Sequence, residues 1–188
     1  MPSRQFVWLD GKFINFEDAK VHILTHSMQY GSGIFEGLRA YEAKKGTAVF
    51  RLKEHVQRFM NSAKIYEMDL KHNNKSIEDV ILELILRNKL SSCYIRPFAF
   101  YNDQHIGLSV KGKKISVAIC AVPFGNYFDN KNTGIKCKVS SWQRINSLIL
   151  PPQAKASGNY INSVIASLEA DNAGADEAIM LSTDGYVA

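Results

Sequence analysis

The chain has 188 residues, of which 46% are apolar and 22% charged, and its formal net charge is +5. This apolar content is enough for a buried core and excludes general disorder, and the length suits one large domain or two small ones. The densest basic cluster, residues 111–114, suits a solvated turn, and no helical pattern combines a basic stripe with aromatic residues. Nucleic acid is therefore not an expected partner. No apolar run approaches the length of a membrane span and the N-terminus lacks a signal region, so no membrane partner is expected either.

The cysteines and histidines predict neither disulfides nor a metal site. Cys93, Cys120 and Cys137 are odd in number and lack the spacing of metal ligands. The five histidines do not converge with acids or cysteines along the sequence. We therefore expect reduced thiols, no bound metal and a cytoplasmic location.

Residues 1–124 predict a small α+β domain rich in antiparallel strands. The Asp10-Gly11 turn and the turn at residues 44–46 each predict a hairpin. Apolar residues that recur every three or four positions predict a first helix, and Ser76, with Asp79 three residues later, predicts the N-cap of a second. The predicted elements are strands 6–9, 12–14, 39–42 and 47–52, helices 53–66 and 77–88, and strands 93–101 and 115–122.

Residues 125–134 break the periodicity and are predicted to link this domain to a second one, residues 135–188. Gly174 is expected to end the one helix of the second domain as a C-terminal cap. The predicted elements there are a strand at 135–141, a helix at 160–172 and a strand at 177–182.

The end of the chain predicts that the second domain is incomplete. Asp184-Gly185 is typical of a hairpin turn, but only residues 186–188 follow it. Too few strands and a half-formed hairpin would leave strand edges unpaired. We therefore expect the chain to be the truncated N-terminal portion of a longer protein, the alternative being a natural short C-terminus.

Lys155 is the first candidate for chemistry, because it lies on a turn of small residues just before an apolar helix. Residues 151–160 read PPQAKASGNY. A lysine that is desolvated there can lose its proton near neutral pH and attack a carbonyl carbon to form a Schiff base. A lysine near glycines is more often a solvated surface residue, so the functional interpretation needs further groups. A pyridoxal phosphate enzyme needs a phosphate cradle, an acid at the pyridine nitrogen and a means of recognising an amino acid.

Two sets of residues could meet part of these needs. Arg58 lies on the first helix, away from its apolar stripe, where it is either exposed to solvent or a bidentate phosphate contact. Tyr94 and Arg96 alternate on one strand, so their side chains lie on the same face of the sheet. Such a pair suits a carboxylate substrate, and an edge-strand arginine paired with a nearby acid is an equal alternative.

Five blocks of sequence, taken in order and spacing, resemble a known family. The chain resembles the branched-chain amino-acid aminotransferases, which are fold-type IV pyridoxal phosphate enzymes, from residue 6 to residue 188. The resemblance implies an α+β fold of two domains with the second domain incomplete. It also implies transamination between leucine, isoleucine or valine and 2-oxoglutarate. The blocks are residues 30–39 (YGSGIFEGLR), 50–52 (FRL) with 57–58 (QR), 94–97 (YIRP), 140–142 (SSW) and 155–160 (KASGNY).

The resemblance also implies roles for single residues. Lys155 would form the Schiff base with pyridoxal 5'-phosphate and shuttle the proton of the substrate Cα. Arg58 would hold the cofactor phosphate, and Tyr160 would lie near its phenolic oxygen. Arg96 would bind the distal carboxylate of glutamate. The other implied substrate-pocket residues are Tyr30, Phe35, Gly37, Tyr94 and Tyr127, with Arg39 as a weaker assignment.

A homodimer, or a larger homo-oligomer, is implied by the match of Ile106 and Leu108 to a loop that enters the neighbouring subunit's pocket in the family.

In the family a glutamate that pairs with the pyridine nitrogen follows the position of Ala188. Without that partner we expect carbanion formation to slow by orders of magnitude. Phe124 stands where relatives often carry tryptophan, which is a mild change in the pocket wall.

Two alternatives to branched-chain transamination remain. A D-amino-acid aminotransferase or an aminodeoxychorismate lyase would have the same fold, although blocks 35–39 and 94–97 favour the branched-chain interpretation. The other alternative is a catalytically inactive fragment that acts at most as a dimerising or weak cofactor-binding module.

Overall fold

The computed structural model describes residues 5–123 and 134–188, which form two compact units. The first unit takes in the described residues up to 123 together with Ala154–Ala156. The second takes in residues 134–153 and 157–188. The three residues around Lys155 thus pack with the first unit, although they come late in the chain.

A seven-stranded sheet forms the frame of the first unit. Its strands are β1 (Phe6–Leu9), β2 (Lys12–Asn15), β3 (Gly33–Phe35), β4 (Leu38–Ala43), β5 (Gly46–Val49), β6 (Cys93–Tyr101) and β7 (Ile115–Pro123). The order is β2-β1-β7-β6-β4-β5, and β3 pairs with β6 on the same edge as β4. Paired strands are antiparallel, and β6 and β7 pair over their whole length. The predicted opening hairpin and the two long strands are confirmed.

One face of this sheet carries the core of the first unit. The helices of the first unit are α1 (His26–Tyr30), α2 (Leu52–Ile65) and α3 (Asn74–Arg87). Phe59 of α2, Ile81 of α3 and Ile95 of β6 belong to one hydrophobic cluster and are each 0% exposed. Because side chains alternate along a strand, Tyr94 and Arg96 lie on the opposite face from Ile95. Both side chains are partly buried there.

The second unit is a parallel strand pair with a helix between its strands. Strand β8 (Cys137–Gln143) pairs with β9 (Glu177–Leu181), and α4 (Tyr160–Asn172) connects them. Gly174 follows the helix end with φ of +67°, as a C-terminal cap requires. The helix has the predicted bounds, and the predicted turn is confirmed by the bond from the Ser182 N–H to the Tyr186 carbonyl (2.7 Å).

The predicted N-cap of the second helix is wrong by three residues. Helix α3 begins at Asn74, and Asn73 is its N-cap. The Asn73 side chain accepts from the Ser76 N–H (2.9 Å), and the Ser76 hydroxyl accepts from the Asn73 N–H (3.1 Å). Ser76 is therefore the third residue of a capping box that starts at Asn73, and not the cap itself.

Three smaller differences have local causes. The predicted strand 47–52 ends at Val49, because Arg51 turns the chain with φ of +49°. Strand β8 lies two residues later than predicted. Helix α1 and strand β3 were not predicted, because five and three residues are too few to display a period.

Within residues 5–123 and 134–188, no helix combines the length and apolar character needed to cross a membrane. In the same part of the chain, no three acid, histidine or cysteine side chains are grouped as metal ligands would be.

Replacing Phe59 by alanine is expected to destabilise the first unit by about 3–5 kcal/mol, because it leaves a cavity at a site that is 0% exposed. The matched control is Phe50→Ala, whose side chain is 62% exposed and whose loss should cost less than about 1 kcal/mol. Urea titration followed by Trp8 fluorescence, in a Trp142→Phe background, measures both. Equal losses in the two variants would contradict this placement of the core.

Candidate active site

The ring of Phe35 lies beside two cationic side chains. The Arg96 Cζ atom lies 4.4 Å from the ring centroid, and the Lys155 Nζ atom lies 4.9 Å from it. Both distances are within the range of cation–π attraction, and Phe35 itself is 8% exposed. An aromatic face stabilises a cation without neutralising its charge, so this cluster remains suited to anionic ligands.

The backbone of Lys155 is fixed on both sides of the residue. Its N–H donates to the Ser62 hydroxyl on α2 (3.0 Å), and its carbonyl accepts from the Phe35 N–H (2.9 Å). Ala154 and Ala156 are each 3% exposed, and Ala156 forms a β-bridge with Ile34. Small side chains at these two positions let the turn approach β3 closely, which orients the lysine toward Phe35.

Arg96 keeps a hydrogen-bond donor for a further partner. Its Nη2 donates to the Tyr94 hydroxyl at 2.8 Å. Its Nε is buried and has no hydrogen-bond partner among the described residues. A buried donor without a partner costs free energy unless a ligand satisfies it, and a carboxylate is a good match for a guanidinium.

Gly37 makes room for the Tyr94 side chain. A Cβ atom at position 37 would lie 2.2 Å from the Tyr94 hydroxyl oxygen, far inside contact distance. Glycine is therefore required here for the hydrogen bond between Tyr94 and Arg96.

Arg58 is held by a fully buried carboxylate. Glu36 is 0% exposed, and its two oxygens accept from the Nε and Nη2 of Arg58, each at 2.5 Å. The Gly37 N–H also donates to Glu36 (2.8 Å), and the Nδ1 of His55 lies 3.4 Å away. Burial alone raises the pKa of Glu36, but the bonds from Arg58 and Gly37, with the nearby charges, lower it below its ordinary value. Glu36 therefore remains a carboxylate at neutral pH.

Helix α2 carries Arg58 and Ser62, the residue that bonds the Lys155 N–H, on one face. Arg58 and Ser62 are four residues apart, so they lie about 6 Å apart along the helix axis and on the same side. Glu36 occupies the Nε–Nη2 edge of the guanidinium, and the Arg58 side chain is 51% exposed. The same helix thus holds the backbone of Lys155 and carries the guanidinium of Arg58.

Glu36, His55 and Ser62 were not predicted as site residues. Glu36 lies in the block 30–39, and an acid among apolar residues that are otherwise buried needs a cationic partner. That signal was present in the sequence. Nothing in the sequence identifies Ser62 as the acceptor for the Lys155 N–H, because the two residues are 93 positions apart.

Tyr30 belongs to a second group of residues in the same unit. Its hydroxyl accepts from the Gly107 N–H (3.1 Å), and its ring lies 4.6 Å from that of His26. Ile106 and Leu108, on either side of Gly107, are 68% and 79% exposed. The structure therefore joins Tyr30 to the Ile106–Leu108 loop.

The remaining sequence candidates have separate positions. Arg39 is exposed and pairs across the strands with Tyr94, so it lies on the same sheet face as Tyr94 and Arg96. Tyr160 is the first residue of α4, in the second unit, and is 36% exposed. Tyr127 lies outside the described residues.

Comparison with known proteins gives one consistent result. Residues 33–188 match the family described as Amino-transferase class IV. A branched-chain-amino-acid aminotransferase of Pseudomonas aeruginosa is 42% identical over 184 residues, which cover 97% of this chain and 60% of that protein.

Solved structures agree with the sequence comparison. A branched-chain aminotransferase from Thermoproteus uzoniensis with norvaline matches with a TM-score of 0.92 at 41% identity, over 98% of this chain and 62% of that one. A second branched-chain amino acid aminotransferase, complexed with N-(5'-phosphopyridoxyl)-L-glutamate, matches with a TM-score of 0.91 at 42% identity, over 99% and 62%. The chain thus spans about 60% of the length of the relatives it matches, and the predicted α+β, fold-type IV architecture is confirmed. The chain belongs to the class IV aminotransferase family.

Proposed function

We propose that this chain serves a pyridoxal-phosphate-dependent aminotransferase that exchanges the amino group of L-leucine, L-isoleucine or L-valine with the oxo group of 2-oxoglutarate. The products are the branched-chain 2-oxo acid and glutamate. The observation that carries the proposal is the position of the Lys155 amine and the Arg96 guanidinium beside the ring of Phe35. The relatives named above support the substrate class.

The residues present fit pyridoxal 5'-phosphate. When bound, this cofactor supplies an electron sink for the negative charge that develops at the amino-acid Cα. Lys155 is the primary amine that would bind its aldehyde carbon and, once the substrate amine has replaced it there, would move the proton at the substrate Cα. Arg58, oriented by Glu36, would bind the phosphate, and Tyr160 would bind the phenolic oxygen.

The substrate would lie on the wall formed by Phe35 and Tyr94. Arg96, whose Nε is buried without a partner in the described part of the chain, would bind the distal carboxylate of glutamate. An aliphatic side chain would pack on the same aromatic wall. Gly37 would contribute by leaving space for Tyr94. The further assigned residues are Tyr30, Arg39, Ile106, Leu108 and Tyr127.

The proposal also includes the oligomeric state and the location: we expect a homo-oligomer, and we expect it in the cytoplasm. Ile106 and Leu108 are highly exposed apolar side chains on one loop, which suits burial against a second copy. Cys93, Cys120 and Cys137 are free thiols, as expected in a reducing compartment.

Borohydride trapping tests the role of Lys155. With pyridoxal phosphate and borohydride, we expect a single reduced adduct on Lys155 in wild type, detected by peptide mass mapping, and none at that site in Lys155→Ala. Lys111→Ala, at an exposed lysine in a loop, is the matched control and should label like wild type. Labelling spread over surface lysines would contradict the proposed role and favour an inactive fragment. A substrate panel of L-leucine, D-alanine and aminodeoxychorismate then separates the three reactions.

Gly37→Ala should weaken the binding of glutamate more than the binding of leucine. The new methyl group displaces the Tyr94 hydroxyl and removes its bond to Arg96, a charge-assisted bond of roughly 1.5–3 kcal/mol. We expect the KM for glutamate to rise about tenfold or more, and the KM for leucine to change less, in steady-state assays. Tyr94→Phe, which deletes only the hydroxyl, should also raise the KM for glutamate more than the KM for leucine, but by a smaller factor than Gly37→Ala. An equal rise for both amino acids would mean general disruption of the site instead.

Glu36→Gln should weaken the binding of pyridoxal phosphate but leave the binding of pyridoxal, which has no phosphate, unchanged. The amide can accept only one of the two bonds from Arg58, so the guanidinium loses its fixed orientation toward the phosphate. We expect the Kd for pyridoxal phosphate, measured by absorbance titration, to rise roughly tenfold. Glu54→Gln, at an exposed pair with Arg51 on the same helix, is the control. Tighter binding of pyridoxal phosphate in Glu36→Gln would mean that Glu36 mainly neutralises Arg58, and would reject the orienting role.

A further inference from the structure

His26 is a buried histidine to which the proposed reaction gives no role. It is the first residue of α1 and is 2% exposed. Its Nε2 lies 2.9 Å from the Gly107 carbonyl oxygen, and its Nδ1 lies 2.6 Å from the Ser32 hydroxyl. A carbonyl oxygen can only accept, so Nε2 carries the proton and donates it to Gly107, while Nδ1 accepts from Ser32.

Gly107 is held through both of its backbone polar groups. The carbonyl accepts from His26, and the N–H donates to the Tyr30 hydroxyl (3.1 Å). Gly107 has φ of +136°, which favours glycine, and a Cβ there would lie 3.0 Å from the Nε2 of His105. The base of the loop is tied to the same region, because the His26 N–H donates to the Asp103 carbonyl (2.9 Å).

This clamp ties the backbone of the loop to Tyr30 and so places three side chains on one surface. We call Tyr30, Ile106 and Leu108 the apolar tip. The Tyr30 ring packs at 4.6 Å from the ring of His26, and Ile106 and Leu108 flank the clamped glycine. All three remain accessible, at 39%, 68% and 79%. A surface that is already ordered loses less conformational entropy when it binds an apolar group than a mobile loop does.

We propose that His26 is a positioning residue that sets the apolar tip and thereby determines the preference for branched aliphatic side chains. The proposal rests on the proposed function, in which Tyr30, Ile106 and Leu108 contact the substrate. His26 itself touches no reacting atom. It acts through the Gly107 peptide, whose two hydrogen bonds hold the loop and Tyr30 as one unit.

Hydrogen exchange of the Gly107 amide, followed by NMR, tests the clamp without requiring activity. In His26→Gln the side-chain amide can reach the Gly107 carbonyl as Nε2 does, whereas in His26→Asn it is one carbon too short. We expect wild-type protection of Gly107 in the glutamine variant and at least a tenfold loss in the asparagine variant. Tyr30→Phe, at a partly exposed position, removes the acceptor of the same N–H and keeps the test open if His26→Asn does not fold. Gly107 protection in His26→Asn equal to that of wild type would overturn the clamp. If that variant does not fold, Gly107 protection in Tyr30→Phe equal to that of wild type would overturn it.

Kinetics with two amino acids test the effect on specificity. In His26→Asn we expect the KM for L-leucine to rise about tenfold and that for L-alanine to stay within about twofold, with kcat little changed. His26→Gln should restore the wild-type ratio of the two KM values. A shift that is equal for both substrates, or no shift, would overturn the specificity role. A wild-type protein that does not transaminate leucine would overturn the proposed function and this role with it, whereas the exchange result would still decide the clamp.

Discussion

The candidate site depends on two backbone hydrogen bonds at Lys155. One joins its N–H to the Ser62 hydroxyl of α2, and the other joins its carbonyl to the Phe35 N–H at the end of β3. Together they add a segment from late in the chain to the sheet of the first unit. A lysine is a flexible cation, and fixing its backbone at both sides removes the backbone part of the disorder that would otherwise oppose a defined position for the amine. The requirement for small residues at positions 154 and 156 follows from the same close approach.

Around that anchor, two kinds of electrostatic stabilisation are combined. Arg58 is paired with a buried carboxylate, which orients the guanidinium and offsets part of its charge. Arg96 and Lys155 lie against the neutral face of Phe35, which stabilises both cations and leaves their charge intact. The first arrangement suits a group that is held permanently, such as a cofactor phosphate in the proposed function. The second suits groups that must change during turnover, such as a substrate carboxylate and a transferable proton.

What could be predicted from the sequence depends on how local the cause is. The Asp10-Gly11 hairpin and helix α4 follow from neighbouring residues, and their bounds were predicted to within one residue. The predicted N-cap of α3 was wrong because asparagine and serine are both good N-cap residues, and only the capping box seen in the structure distinguishes Asn73 from Ser76. The contacts of Phe35 with Arg96 and Lys155, and of Glu36 with Arg58, join residues that are far apart in the chain. Strand register and burial decide those contacts, and no short-range pattern encodes them.

The wall of Phe35 and Tyr94 offers a physical reason why one proposed pocket could accept both glutamate and an aliphatic amino acid. A guanidinium that lies near aromatic rings is weakly hydrated, so an aliphatic side chain can pack beside it without a large desolvation cost. The same guanidinium presents its N–H edge, including the buried Nε, to a carboxylate. Discrimination among side chains would then have to come from shape, because charge is accommodated either way. A fixed apolar surface such as the one formed by Tyr30, Ile106 and Leu108 supplies shape only if its loop is rigid, and in the proposed clamp the two bonds to Gly107 would provide that rigidity.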